Sequence, residues 1–274
     1  MAVSIADVTK LRKLSGAGLA DCKKALEEAN NDIEAAMEII RKKGQAVAAK
    51  RSDREASEGC VLCKADNGFS ATIALKCETD FVAQNADFVK LTQQILDLAV
   101  ANRCKTLDEV KALPMDNGTV ADAVVARSGI TGEKMELDGY KTIEGPSISC
   151  YNHQNKNFLC TMVALNKVVD EQYGHAVAMQ IAAMNPISIC ENDVPEDVKN
   201  REYEIAADKA RQEGKPENMI DRIAQGRMNK FYKEVCLLNQ EFIQDSNLTV
   251  SAYLKQADKD CTVTAFNRFT LRAE

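Results

Sequence analysis

Apolar residues recur at helical spacing three times in the first 45 residues: Ile5, Val8, Leu11 and Leu14; then Leu19, Cys22, Leu26 and Ala29; then Ile33, Ala36, Met37 and Ile40. Ser4 with Asp7 three residues on predicts a capped start to the first helix. Ser15-Gly16-Ala17-Gly18 breaks the pattern, Asn30-Asn31-Asp32 reads as a turn, and Gly44 is expected to end the third helix. Residues 45–58 are charged and Ala-rich, which predicts a partly helical linker.

Past that linker the period changes to that of strands. Ala71-Thr72-Ile73-Ala74-Leu75 matches Thr161-Met162-Val163-Ala164-Leu165 at an offset of 90, with Ala and Leu identical. Each run follows another strand-like run (59–65; 147–152) and a turn (Asp66-Asn67-Gly68; 153–157). Each precedes an apolar helix, Phe88, Leu91, Ile95, Leu98 in one copy and Ala176, Met179, Ile181, Met184 in the other. Two strand–strand–helix units predict an α+β core built by duplication. The three short N-terminal helices can form only a very small core, and they resemble a ubiquitin-associated-type module, a class that mostly binds other proteins.

Residues 102–139 read as helix and then loop, with Arg127-Ser128-Gly129 at a break. Residues 195–226 are highly charged and helical, interrupted at Gly214-Lys215-Pro216, where Pro suits a first helical turn. That describes an antiparallel helical hairpin inserted into the core. Strands are expected at 235–238, 241–243 and 262–271, with a short helix over 249–256. The expected division is therefore a three-helix module (1–50), a first core half (51–139), a second core half in two parts (140–190 and 227–274), and the hairpin (191–226).

The net charge of −6 argues against general nucleic-acid binding, which draws its affinity from a basic face. Residues 1–55 nevertheless hold 11 Lys and Arg against 9 Asp and Glu, and the cluster Arg41, Lys42, Lys43, Lys50, Arg51, Arg54 suits an acidic protein partner or a solvated face. No secretory signal is expected at residues 1–14, and no apolar run approaches the roughly 20 residues that span a bilayer. Ten cysteines in that setting suggest reduced thiols in a cytoplasmic protein. Cys60-Val61-Leu62-Cys63 lies in a strand-like run, where positions three apart point to opposite faces, so no metal site is expected. Gly16-Ala17-Gly18 is too short for a phosphate-cradling loop and no GxxxxGK[ST] is present, so no cofactor is expected.

The densest functional signal is Thr79-Asp80-Phe81-Val82, at the junction of a strand-like and a helix-like run. Thr79 or Asp80 suits an N-cap there. Such a corner can hold Phe81 rigidly near the surface as an interface anchor, against the ordinary expectation that a Phe is buried.

Four landmarks in order then resemble the elongation factor Ts family of bacterial exchange factors for elongation factor Tu. They are Leu11-Arg12 with residues 15–26 (SGAGLADCKKAL), residues 77–83 (CETDFVA), Tyr151-Asn152-His153, and residues 226–231 (GRMNKF). The resemblance implies a non-enzymatic guanine-nucleotide exchange factor of translation elongation, acting on GDP-bound and nucleotide-free elongation factor Tu, with no catalytic residue of its own. It implies that Thr79, Asp80, Phe81 and Val82 enter the partner's nucleotide domain, where the aromatic ring disturbs the Mg²⁺ and phosphate site. It also implies contacts from Arg12, Leu19, Ala20 and Lys23 of the N-terminal module, from a loop at Ser128-Gly129, and from His153. No nucleic acid or membrane is implied as partner, and exposed sheet or hairpin surfaces leave self-association open.

The sequence departs from the family pattern at Ser15, Leu19 and Ala20, where many members have Thr, Met and Met. It also ends at Glu274 after the last expected strand, without the C-terminal helical module of some members. Two other readings remain: an adapter that binds helices or nascent chains through residues 1–45, and an enzyme using Cys77, Asp80 and His153 as a nucleophile–base set.

Overall fold

Helices α1 (Ile5–Ser15), α2 (Leu19–Glu28) and α3 (Ile33–Lys50) open the computed structural model, which describes residues 3–116 and 118–271. The Ser4 side chain accepts from the Asp7 N–H at the start of α1, and the Asp32 side chain accepts from Glu34 and Ala35 at the start of α3. Val8, Leu11, Cys22, Leu26 and Ala36 form the small core, whereas Ile5, Leu14 and Leu19 of the expected stripes are exposed. Gly44 does not end α3, which continues through it to Lys50. A mid-helix glycine costs about 1 kcal/mol relative to alanine. The α3 backbone at this point is closely packed: a Cβ built on Gly129 would stand 2.3 Å from the Gly44 Cα, whereas a Cβ on Gly44 itself would meet the Val125 carbonyl at an ordinary 3.4 Å.

Strands β1 (Glu58–Asp66) and β2 (Phe69–Cys77) follow, and β2 is buried at every position but Lys76. A single helical turn, α4 (Asp80–Ala83), leads into α5 (Ala86–Ala101), which buries Phe88, Leu91, Ile95 and Leu96. Helix α6 (Leu107–Ala112), the two-residue strands β3 (Pro114–Met115) and β4 (Gly118–Thr119), and α7 (Val120–Thr131) come next. The expected break at Arg127-Ser128-Gly129 lies inside α7, whose true terminator is Gly132 at φ 74°. Strand β5 (Glu136–Glu144) completes a sheet in the order β1-β2-β5.

The second copy begins with β6 (Ser147–Asn152), which pairs antiparallel with β7 (Leu159–Leu165) from Ser147↔Leu165 to Asn152↔Cys160. Helix α8 (Glu171–Met184) lies on these strands: Gly174 approaches Ser149 so closely that a Cβ would sit 2.2 Å from its Oγ. Its buried face is Ala176, Val177, Ala178, Gln180 and Ile181, while Met184 is exposed, contrary to the expected stripe. The hairpin is α9 (Glu196–Gln212) and α10 (Glu217–Val235), joined at Ala206, Ala207, Ala210, Ile220 and Ala224. Helix α10 runs through Gly226 to Val235, so no strand forms at 235–238; Leu237–Asn239 is a 3₁₀ turn instead. Short apolar runs of this kind do not distinguish strand from helix by periodicity. Strands β8 (Glu241–Phe242) and β9 (Asp245–Thr249), helix α11 (Val250–Ala257) and β10 (Val263–Thr270) close the chain, with β10 beside β7 in the order β10-β7-β6. Glu274 lies outside the described residues.

The architecture is the α+β one expected, with three N-terminal helices, two strand–strand–helix copies and an inserted helical hairpin. By contact density the chain divides into Met1–Leu62, Thr72–Lys141 and Thr270–Glu274 as one compact unit, and Cys63–Ala71 and Thr142–Phe269 as the other. No helix among the described residues is long and apolar enough to cross a membrane.

Candidate functional site

The two copies differ in the connection from their second strand to their helix. Between β7 and α8 the second copy has only a loop over 166–170, whereas the first inserts the helical turn α4 between β2 and α5. Thr79, not Asp80, is the N-cap of that turn: its backbone is extended and its Oγ1 accepts from the Val82 N–H at 3.4 Å. Asp80 is the first helical residue, where a carboxylate suits the positive end of the helix. Only Ala83 of the turn is buried, and Phe81 is 85% exposed. The expected conflict at Phe81 is thus resolved in favour of the surface, and Val82 is half-buried beside it.

The corner is held by two carboxylates, Glu78 of the 77–83 landmark and Glu133, which no sequence pattern singles out. Glu133, two residues beyond α7, accepts through Oε2 from the backbone N–H groups of Glu78 and Thr79, both at 3.1 Å, and through Oε1 from the Thr79 hydroxyl at 2.6 Å. Glu78 returns the contact, accepting from the Lys134 N–H at 2.6 Å. Arg51, at the end of α3, donates to both Glu78 oxygens at 3.1 and 3.0 Å. These bonds, the Lys134 N–H foremost, hold the Glu78 carboxyl below its ordinary range. Glu78 lies in the 77–83 landmark, though without a role assigned to it there, whereas Glu133, after Gly132, has no local motif.

Arg12, Leu19, Ala20 and Lys23 are all exposed, on the last turn of α1 and the first turns of α2. Lys23 makes a long ion pair of 3.9 Å with Glu27. Ser128 and Gly129 are different. They lie in a helix rather than a loop; Ser128 is buried and donates to the Glu133 carbonyl, and Gly129 is packed against Gly44. His153 sits in a 3₁₀ turn of the second unit, its Nδ1 3.2 Å from the Tyr151 hydroxyl and its ring edge-on to Tyr151 and Phe158.

The thiol beside the corner is shielded from solvent. Cys77 is fully buried, bonds to the Thr79 carbonyl at 3.2 Å, and has its thiol pushed up to about 12, chiefly by burial. The thiolate is the nucleophilic form, so this position does not suit covalent chemistry. Among the described residues no group of three or more His, Cys, Asp and Glu side chains is arranged to hold a metal.

A family model described as Elongation factor TS matches residues 78–273, from the Glu78 clasp to the last strand. The chain belongs to the elongation factor Ts family. It is 57% identical over 330 positions to elongation factor Ts of Phocaeicola vulgatus and 56% identical to that of Bacteroides thetaiotaomicron, each comparison covering 100% of both chains. Elongation factor Ts of Porphyromonas gingivalis is 55% identical over 275 positions, again with 100% of both chains covered. Elongation factor Ts membership implies nucleotide exchange on elongation factor Tu in translation elongation. The first 77 residues, which the family model does not reach, are covered by these relatives.

Proposed function

We propose that this chain is a cytoplasmic guanine-nucleotide exchange factor that binds GDP-bound and nucleotide-free elongation factor Tu and drives GDP release by disturbing the partner's Mg²⁺ and phosphate site. The observation that carries the reading is Phe81, a large aromatic ring 85% exposed on a turn whose backbone is clasped on the other side. A rigid aromatic loses little conformational freedom on binding and suits the role of a wedge. Thr79 shapes the turn, Asp80 and Phe81 enter the partner, and Val82 supports the ring. Arg12, Leu19, Ala20 and Lys23 form a second contact on the N-terminal module, residues 1–50. Ser128 and Gly129 act on this surface from inside, through packing, and His153 is a contact of the second unit.

Exchange of this kind needs no acid, base or nucleophile. It needs the factor to prefer nucleotide-free partner, and the coupling is reciprocal: whatever affinity nucleotide loses when the factor binds, the factor loses when nucleotide binds. A coupling of about 4–5 kcal/mol corresponds to a thousandfold or more.

Stopped-flow release of fluorescent GDP from elongation factor Tu tests the proposal with wild type and Phe81→Ala side by side. Acceleration by wild type and its loss in the variant is the expected result. Equal acceleration by both moves the mechanism away from Phe81. Absence of acceleration by either removes the exchange reading and leaves the adapter reading through residues 1–45.

A further inference from the structure

Helix α4 is one turn long, too short to hold its own geometry in water, because a first helical turn fixes several dihedrals for few hydrogen bonds. Something outside it must keep Phe81 in place. Two segments far apart in sequence exchange side-chain-to-backbone bonds at this point. Glu133 accepts from Glu78 N–H, Thr79 N–H and the Thr79 hydroxyl, and Glu78 accepts from Lys134 N–H. Each segment thus satisfies backbone donors of the other, in charge-assisted bonds that are stronger than neutral ones.

The Glu133 end of the clasp is itself held. Its carbonyl accepts from the Ser128 hydroxyl, and its N–H donates to Thr131 Oγ1 at 3.3 Å. Ser128 is buried and leads by this route to the exposed ring without being able to reach a partner itself.

We propose that Glu133 is the positioning residue of the exchange site: it sets the orientation of Phe81 by gripping the N-terminal side of α4, and Ser128 acts through it. The proposal rests on the wedge reading of Phe81 for its functional consequence, while its physical content, the order of the residue at position 81, stands apart from that reading. Neutralising Glu133 to Gln keeps an amide oxygen that accepts from the two N–H groups, so Glu133→Gln retains part of the clasp and Glu133→Ala none of it.

The chain contains no tryptophan, so Phe81→Trp places a single reporter at the site. Time-resolved anisotropy in that background is expected to show a larger fast component for Glu133→Ala than for the parent, with Glu133→Gln between them. In the Phe81 background, fluorescent-GDP release from elongation factor Tu at increasing factor concentration is expected to show a maximal rate about tenfold lower for Glu133→Ala, with Glu133→Gln partly restored. The half-saturating concentration should change little, because the N-terminal module still binds. A generally destabilised protein would instead raise that concentration, by lowering the active fraction, and leave the maximal rate alone. Identical anisotropy decays for parent and Glu133→Ala at equal thermal midpoints would overturn the proposal, as would a full maximal rate. Should Glu133→Ala not fold, Glu133→Gln with Thr79→Val decides, and unchanged anisotropy in both overturns it. If wild type fails to accelerate release, the exchange reading is lost, and the anisotropy measurement still decides the clasp.

Discussion

Gly129 in α7 lies so close to Gly44 in α3 that a Cβ on Gly129 would stand 2.3 Å from the Gly44 Cα. No side chain fits that gap, and backbone lies on both sides of it. Gly129→Ala must therefore push the two helices apart, and overpacking of this kind typically costs about 1–3 kcal/mol. Gly44→Ala meets the Val125 carbonyl at 3.4 Å, an ordinary contact, and is expected to be milder. Thermal melts of the two variants, with titration against elongation factor Tu, check the order: Gly129→Ala loses more stability and more affinity than Gly44→Ala.

Thr79 and Asp80 should separate under mutation. Thr79→Ala removes the cap to Val82 and the donor to Glu133, for a local cost of about 1 kcal/mol typical of a lost cap. Asp80→Ala leaves the cap in place. Its melt should match wild type while its exchange rate falls, whereas Thr79→Ala should lower both.

Leu19 is 54% exposed and Lys23 has a long, solvent-exposed ion pair worth little to stability. Leu19→Ala and Lys23→Glu are expected to change stability by less than about 0.5 kcal/mol. Affinity for elongation factor Tu should drop in both, and the drop for Lys23→Glu should shrink as ionic strength rises. Titrations at low and high salt measure this.

The clasp predicts a pH dependence. The folded-state pKa of Glu78 is depressed from 4.5, so in the unfolded chain this group binds protons more readily than in the folded one. Its contribution is therefore fully present above pH 4.5 and is lost as pH falls through the lower folded value. Urea midpoints of wild type and Glu78→Gln should differ by a constant amount above that pH and converge below it.

Cys77→Ser tests the covalent alternative. The serine hydroxyl can donate to the same Thr79 carbonyl that the thiol meets at 3.2 Å, so the fold should survive. GDP release stimulated by Cys77→Ser is expected to equal that of wild type in the stopped-flow assay; a lost rate with an unchanged melt would reinstate a reactive thiol.

Much of the fold was legible because it rests on local periodicity. The strands 71–75 and 161–165, the helices after them and the hairpin break at Gly214-Lys215-Pro216 all follow from spacing and turn residues read within a few positions. Glycines misled where their reason was distant. Gly44 and Gly129 carry the local signature of helix ends, yet both sit inside helices, and Gly129 is there because only a residue without a Cβ lets the Gly44 backbone approach. Exposed Ile5, Leu14 and Met184 were equally unreadable, since a helical stripe does not say how wide the buried face is.

The sequence by itself determined the α+β architecture, the family and the position of the Thr79–Val82 corner, because these are written in short-range patterns and contiguous motifs. Only the tertiary structure decided that Phe81 faces solvent, that Ser128 does not, and that Glu133 and Glu78 lock the corner in place. The reason is physical: exposure and side-chain-to-backbone bonding between residues more than 50 positions apart depend on where the chain returns, and no local propensity encodes that.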